Sequence, residues 1–120
     1  VAEAKEIIKT KPQQLSQEEM FMVAQTYEPG SKEFNDVMEI AVRMFPENET
    51  ANLNAANTRL NAGDADGAKS YLDKAGNSPE ALNARGVYES LKGNDQQARH
   101  YFALAAKAGV KAAQENLENL

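Results

Sequence analysis

The sequence predicts an all-α protein built from antiparallel helical hairpins, on three observations. Apolar residues recur at steps of three and four, as in Phe34, Val37, Met38, Ala41, Val42 and Phe45. That spacing places them on one helix face. Proline and glycine punctuate the chain at near-regular intervals, at Pro12, Pro29-Gly30, Pro46, Gly63, Gly76 to Pro79, Gly93 and Gly109. Finally, Gly63, Ala68, Tyr71, Leu72 and Ala75 are echoed, in the same order and spacing, by Gly93, Ala98, Tyr101, Phe102 and Ala105.

The blocks between these marks are each about a helix long, and they predict helices over 2–10, 17–28, 32–45, 49–62, 65–75, 79–92, 95–108 and 110–119. The first ends before Pro12. The second opens on Ser16 with Glu19, a capping box in which the hydroxyl and the carboxylate each take an early backbone N–H. Ser31 caps the third, just after Pro29-Gly30. The fourth follows Pro46, with Glu47 and Glu49 favouring the positive end of its dipole. Asp64 opens the fifth after Gly63. Ser78 caps the sixth, with Pro79 at the first helical position, where its missing N–H costs nothing. Asp95 opens the seventh. The eighth follows Gly109, with Val110, Ala113, Leu117 and Leu120 on one side and Gln114, Glu115 and Glu118 on the other.

Composition sets the bounds. The 120 residues form one domain, 1–120, long enough for a real core. There are four Tyr, four Phe and no Trp, while alanine is abundant, which favours close-packed helices over a β-sandwich. The net charge of −5, with no cluster of Lys and Arg, argues against a nucleic-acid partner, because phosphate neutralisation needs such clusters. The lack of Cys excludes disulfides, thiolate metal sites and Cys nucleophiles. No apolar run approaches the roughly 18 residues that span a bilayer, so direct membrane insertion is not expected. The chain opens on "VAEAKEII" with no signal-peptide pattern and no Met, and is read as a fragment of a longer protein.

The repeat groups the helices into hairpins at about 16–46, 49–76 and 79–108, with a capping helix at 110–119 over the last unit's core. "LNA" at 53–55 and again at 82–84 points the same way, with a spacing one residue shorter.

This outline resembles the tetratricopeptide (TPR) repeat, and the whole is read as a TPR-like solenoid. In that family a small residue sits within the first helix, a Gly-Asp-type turn follows, and small and aromatic residues recur in the second. Gly86, Gly93-Asn94, Ala98, Phe102 and Ala105 fit one such unit, and Ala56, Gly63-Asp64, Ala68, Leu72, Ala75 and Pro79 another. The first unit keeps Ala41 and Pro46 but has Phe34 where the small residue belongs. The period is shorter than the family's, which is about 34 residues. Residues 15–57, "LSQEEMFMVAQTYEPGSKEFNDVMEIAVRMFPENETANLNAAN", are also similar to the C-terminal helical region of a Bacteroides-type family of exported proteins of unknown function. That similarity implies an exported, periplasmic or outer-membrane-associated protein, in which a β-rich N-terminal domain precedes this region. It carries over no catalytic residue.

Site chemistry is sparse. "GDADG" at 63–67 has the two aspartates of a calcium loop. Counting from Asp64, however, the sixth position is Lys69 and the twelfth Ala75, where an EF-hand needs Gly and Glu. The stretch is read as a helix corner, with Gly63 left-handed and Asp64 capping. His100 is the only histidine and is read as a surface residue, with no triad to be built around it. No phosphate-cradling Gly loop is present. Asn48-Glu49-Thr50 matches a glycosylation sequon. No catalytic residue, metal ligand or cofactor is assigned, and the protein is read as not an enzyme.

The asparagines are the remaining signal. Asn52, Asn54, Asn57 and Asn61 crowd one helix, and Asn83 and Arg85 lie in the next first helix. Asparagine is a modest helix former, so four in one helix carry a propensity cost. In TPR-like stacks the first helices line the concave face where peptides lie, and an amide can both donate to and accept from peptide backbone. Asn54, Asn57, Asn61, Asn83 and Arg85 are therefore the candidate partner-binding residues, for a protein or peptide, or for the protein's own N-terminal domain. The competing expectation is that the asparagines bridge neighbouring helices and fix their register. The function expected is a non-catalytic interaction or scaffold module of a larger cell-envelope protein. The alternative is a purely structural spacer.

Overall fold

The structure, a computed structural model, describes residues 2–120 and among them contains α-helices, one 3₁₀ turn and no strand. The helices are α1 (Ala2–Thr10), α2 (Gln17–Ala24), α3 (Lys32–Met44), α4 (Glu49–Asn61), α5 (Ala65–Leu72), α6 (Pro79–Leu91), α7 (Asp95–Lys107) and α8 (Lys111–Glu118). The sequence does not predict the 3₁₀ turn, Pro12–Gln14. Proline at its first position pre-sets the backbone for a tight turn, and Leu15 behind it is buried.

Capping follows the local chemistry. The Ser16–Glu19 capping box forms in both directions, and Ser31, Asn48, Asp64 and Ser78 each accept a backbone N–H from three residues on. Two predicted helices stop early. α2 ends at Ala24, not 28; proline at 29 disfavours the helical region only at Glu28, and the turn closes earlier. The segment between closes on tighter bonds, Thr26 N–H to Val23 C=O and Tyr27 N–H to Ala24 C=O. α5 likewise gives way after Leu72 to tighter bonds at Lys74 and Ala75.

The corner at Gly63 has the glycine at φ +78°, which an L-residue rarely adopts. Gly63 N–H donates to Leu60 C=O and Asp64 N–H to Arg59 C=O, both at 2.9 Å. This paired closure is a Schellman motif. The same pair recurs at Gly93, with its N–H on Ser90 C=O and the Asn94 N–H on Glu89 C=O. The two corners differ in one respect. Asp64 caps α5, whereas Asn94 makes no side-chain cap and donates its amide to Glu89 at 3.0 Å.

Each helix packs on its chain neighbour, and α4 also packs on α6 and α6 on α8. The molecule is elongated, 47 × 26 × 21 Å. α4 and α6 match in register. Both are 13 residues long, and Ala51 pairs with Ala81 and Ala56 with Gly86 as buried positions. The "LNA" match is therefore out of register by one residue, and Asn83 is the counterpart of Leu53, not of Asn54.

The core changes character along the chain. Met20, Val23, Val37, Met38 and Val42 fill the first half. After residue 80 the buried hydrophobic residues are alanines and Phe102. The largest helix contact joins α6 to α7. There the Phe102 ring lies so close to Gly86 that a β-carbon on the glycine would overlap it.

Gly86→Ala is therefore expected to destabilise the fold by about 1–3 kcal/mol through overpacking. The loss appears despite alanine's better helix propensity, worth about 1 kcal/mol. Adding Phe102→Leu should recover part of it. Urea unfolding checks this, and an unchanged midpoint would mean that the ring has room to retreat.

Candidate functional site

The asparagine-rich helix α4 begins at Asn48, whose side chain is fully engaged. Its oxygen accepts from Ala51 N–H at 3.0 Å and its amide donates to Gln17 at the start of α2. A glycan on this sequon asparagine would displace that link. One turn on, Asn52 is 2% exposed. It donates to Pro46 C=O at 2.9 Å and Asn48 C=O at 2.8 Å, pinning the α3–α4 connection to α4. A buried amide so paired is cement, since stripping it would leave Pro46 C=O without its partner.

The five candidate residues divide. Asn54 is half-buried and donates to Asn35 of α3 at 3.4 Å. Asn83, also half-buried, accepts from Asn116 of α8 at 3.1 Å. Arg85 donates to Leu72 C=O at 3.0 Å, Gly76 C=O at 2.9 Å and the Asn77 side chain at 3.2 Å. These carbonyls lie at and just beyond the end of α5, where a helix has unpaired acceptors and a negative dipole end. Arg85 thus closes α5 from the neighbouring helix. Asn57 and Asn61 are exposed, four apart on one face of α4, and their side chains make no hydrogen bond among the described residues. The structure brings Asn54, Asn57 and Asn61 onto one helix. It places Asn83 at a non-equivalent position and commits Arg85 to α5.

One polar group has no signature in the sequence. Arg59 of α4 makes a forked contact with Glu39 of α3, its two terminal nitrogens 2.6 and 3.4 Å from the carboxylate oxygens. Its guanidinium also lies 4.4 Å from the centroid of the Tyr71 ring of α5. The Glu39 hydrogen bond raises the Arg59 pKa above its ordinary value, against the opposing effect of partial burial. The group clamps three successive helices. Nothing local marks it, because Glu39 and Tyr71 belong to different helices from Arg59 and lie well beyond any helical spacing.

A surface hollow of about 640 Å³ opens at the α3–α4 corner between Gln17, Met44, Pro46 and Thr50. No unpartnered buried polar side-chain atom occurs among the described residues. A cleft of about 170 Å³ between α5, α6 and α7 is lined by Lys69, Asp73, Arg85, Tyr88, Glu89 and Tyr101. It falls below the range of small-molecule pockets, which begins at roughly 300 Å³, and its charges balance.

Asp64 and Asp66 do not converge on a common point. Asp64 accepts from Gly67 N–H at 2.9 Å, and Asp66 pairs with Lys92 of α6 at 2.9 Å. Among the described residues no three His, Cys, Asp or Glu side chains are placed to share a metal ion. His100 is exposed, edge-on to Tyr101 with ring centroids 5.5 Å apart. No helix among the described residues is long and apolar enough to cross a membrane. No protein-family model, curated protein or solved structure matches the chain.

This division makes a stability prediction. Arg85→Ala leaves Gly76 C=O, and Asn52→Ala leaves Pro46 C=O, without its hydrogen bond, and each should cost about 1–3 kcal/mol. Asn57→Ala and Asn61→Ala should stay within about 0.5 kcal/mol of the parent. Urea midpoints for the four variants check it.

Proposed function

We propose that this chain is a non-catalytic protein-interaction module, a TPR-like solenoid that holds an extended peptide or protein segment along its first helices. The observation that carries the reading is the exposure of Asn57 and Asn61 on α4, free of internal hydrogen bonds among the described residues, beside asparagines that are bonded. Two free amides on one helix face offer donors and acceptors at a spacing that suits a peptide main chain. Support for the solenoid comes from the shared register of α4–α5 and α6–α7 and from the stacking of α4, α6 and α8. In such stacks the helices that touch line the concave side. In this reading Asn57 and Asn61 make the primary contacts. Asn54 and Asn83 offer what hydrogen-bonding capacity their internal bonds leave, and Arg85 braces the surface from beneath. The similarity of residues 15–57 to exported proteins supports placing the module in a larger cell-envelope protein.

A second reading, a structural spacer, is favoured by a separate observation: Asn52, Asn54, Asn83 and Arg85 all spend hydrogen bonds on holding helices together.

A random-peptide display library panned on the immobilised chain separates the two. The interaction module enriches extended peptides, and Asn57→Ala/Asn61→Ala weakens them about tenfold, as losing one or two net hydrogen bonds implies. The variant's melting temperature stays unchanged. A spacer enriches nothing, and peptides that bind the double variant equally well would remove these asparagines from the site.

A further inference from the structure

Helix charges in this protein follow the backbone dipole until the last helix. Each of α1 to α7 has an acidic residue in its first turn, and α1, α3, α4, α5 and α7 have a basic one in the last. Negative charge favours the helix N-terminus and positive charge the C-terminus. α8 is reversed. It has no acid in its first turn and no base in its last; instead Lys111 opens it and Glu118 closes it. Both charges sit at the end of the helix that repels them.

Their placement supplies a reason. Lys111, Gln114 and Glu118 stand at i, i+3 and i+7, a single row on the helix surface. All three are exposed, and Gln114 donates to Glu118 at 3.2 Å, holding the carboxylate in line with the row. The opposite face is occupied: Ala113 is fully buried, and Asn116 is bonded to Asn83 of α6. Val110 and Leu117 are half-buried and Leu120 is 37% exposed, an apolar margin that no described helix of the chain covers completely. Glu115 is exposed on the far side of the row.

We propose that this outward face of α8 docks on a second copy of the chain, the two α8 helices lying antiparallel across a two-fold axis. That arrangement sets each Lys111 against Glu118 of the second copy, so the contact contains the same ion pair twice. The axis passes near Gln114, whose amide is self-complementary, being both donor and acceptor. Antiparallel helices also bring opposite dipole ends together, so the charges unfavourable within one helix become favourable across the pair. A two-fold contact requires such self-complementarity, and a row of opposite charges at its two ends provides it. The proposal is independent of the peptide-binding reading, which concerns α4.

Sedimentation of the chain from micromolar to millimolar concentration tests this. The expected result is a concentration-dependent dimer that salt weakens, as exposed ion pairs are screened. Lys111→Glu should weaken the dimer about tenfold, because two attractive pairs become repulsive. The same change should leave the monomer's melting temperature equal or higher, since it corrects the dipole. Lys111→Glu/Glu118→Lys should restore the dimer. A monomer at every concentration overturns the proposal. So does a dimer that Lys111→Glu leaves intact or that the double exchange fails to recover, in which case another face or another protein is the occupant.

Discussion

The Phe102 ring rests where a β-carbon on Gly86 would have to be, and the second half of the molecule depends on that close approach. Beyond residue 80 no other large hydrophobic side chain is fully buried. Alanines at the remaining contacts remove little apolar surface each, so stability there depends on close, well-fitted packing. A small residue on one helix under a ring from the next lets the axes approach and gives the ring a defined seat. In the first half Met20, Val37 and Met38 do this work by bulk instead. Tyr71 packs against both hydrophobic clusters, next to the α3–α4–α5 clamp that Arg59 makes with Glu39.

Because alanine contacts are weakly directional, other groups must set how far one helix slides along the next. The polar residues are placed to do so. Asn52 fixes the connection before α4, Asn54 meets Asn35, Asn83 meets Asn116, and Arg85 reaches from α6 to the end of α5. Each bond joins elements that apolar packing alone would leave free to shift. An amide that lost its partner in a shifted register would be left partly buried and unpaired, at a cost of about 1–3 kcal/mol. The asparagine content of α4, which opposes helix formation locally, thus has a tertiary explanation for two of its four residues.

The groups left without a structural task are where function is sought. Asn57 and Asn61 are two of them, and the outward row of α8 has charges that its own helix does not explain. Both are surface features on rigid helices, which suits recognition of another chain. Most of the dispersed carboxylates, by contrast, sit at helix starts or in ion pairs such as Lys92–Asp66 and Lys74–Glu47.

The sequence by itself determined the helices and their corners. Caps, glycine turns and three-and-four spacing act within a few residues, so Ser16–Glu19, Gly63 and Gly93 are legible without knowing what packs where. The register of the repeat is legible for the same reason, since each unit repeats its own local chemistry. Only the tertiary structure decided which polar residues are free. Asn52 and Asn57 are alike as letters, but one points into a connection and the other into solvent. Nor does the sequence tell that Arg85 closes α5 or that Arg59 grips Glu39. Those outcomes depend on partners that lie on other elements, well beyond the reach of local spacing. Only the packing of one helix on the next brings them within a hydrogen bond.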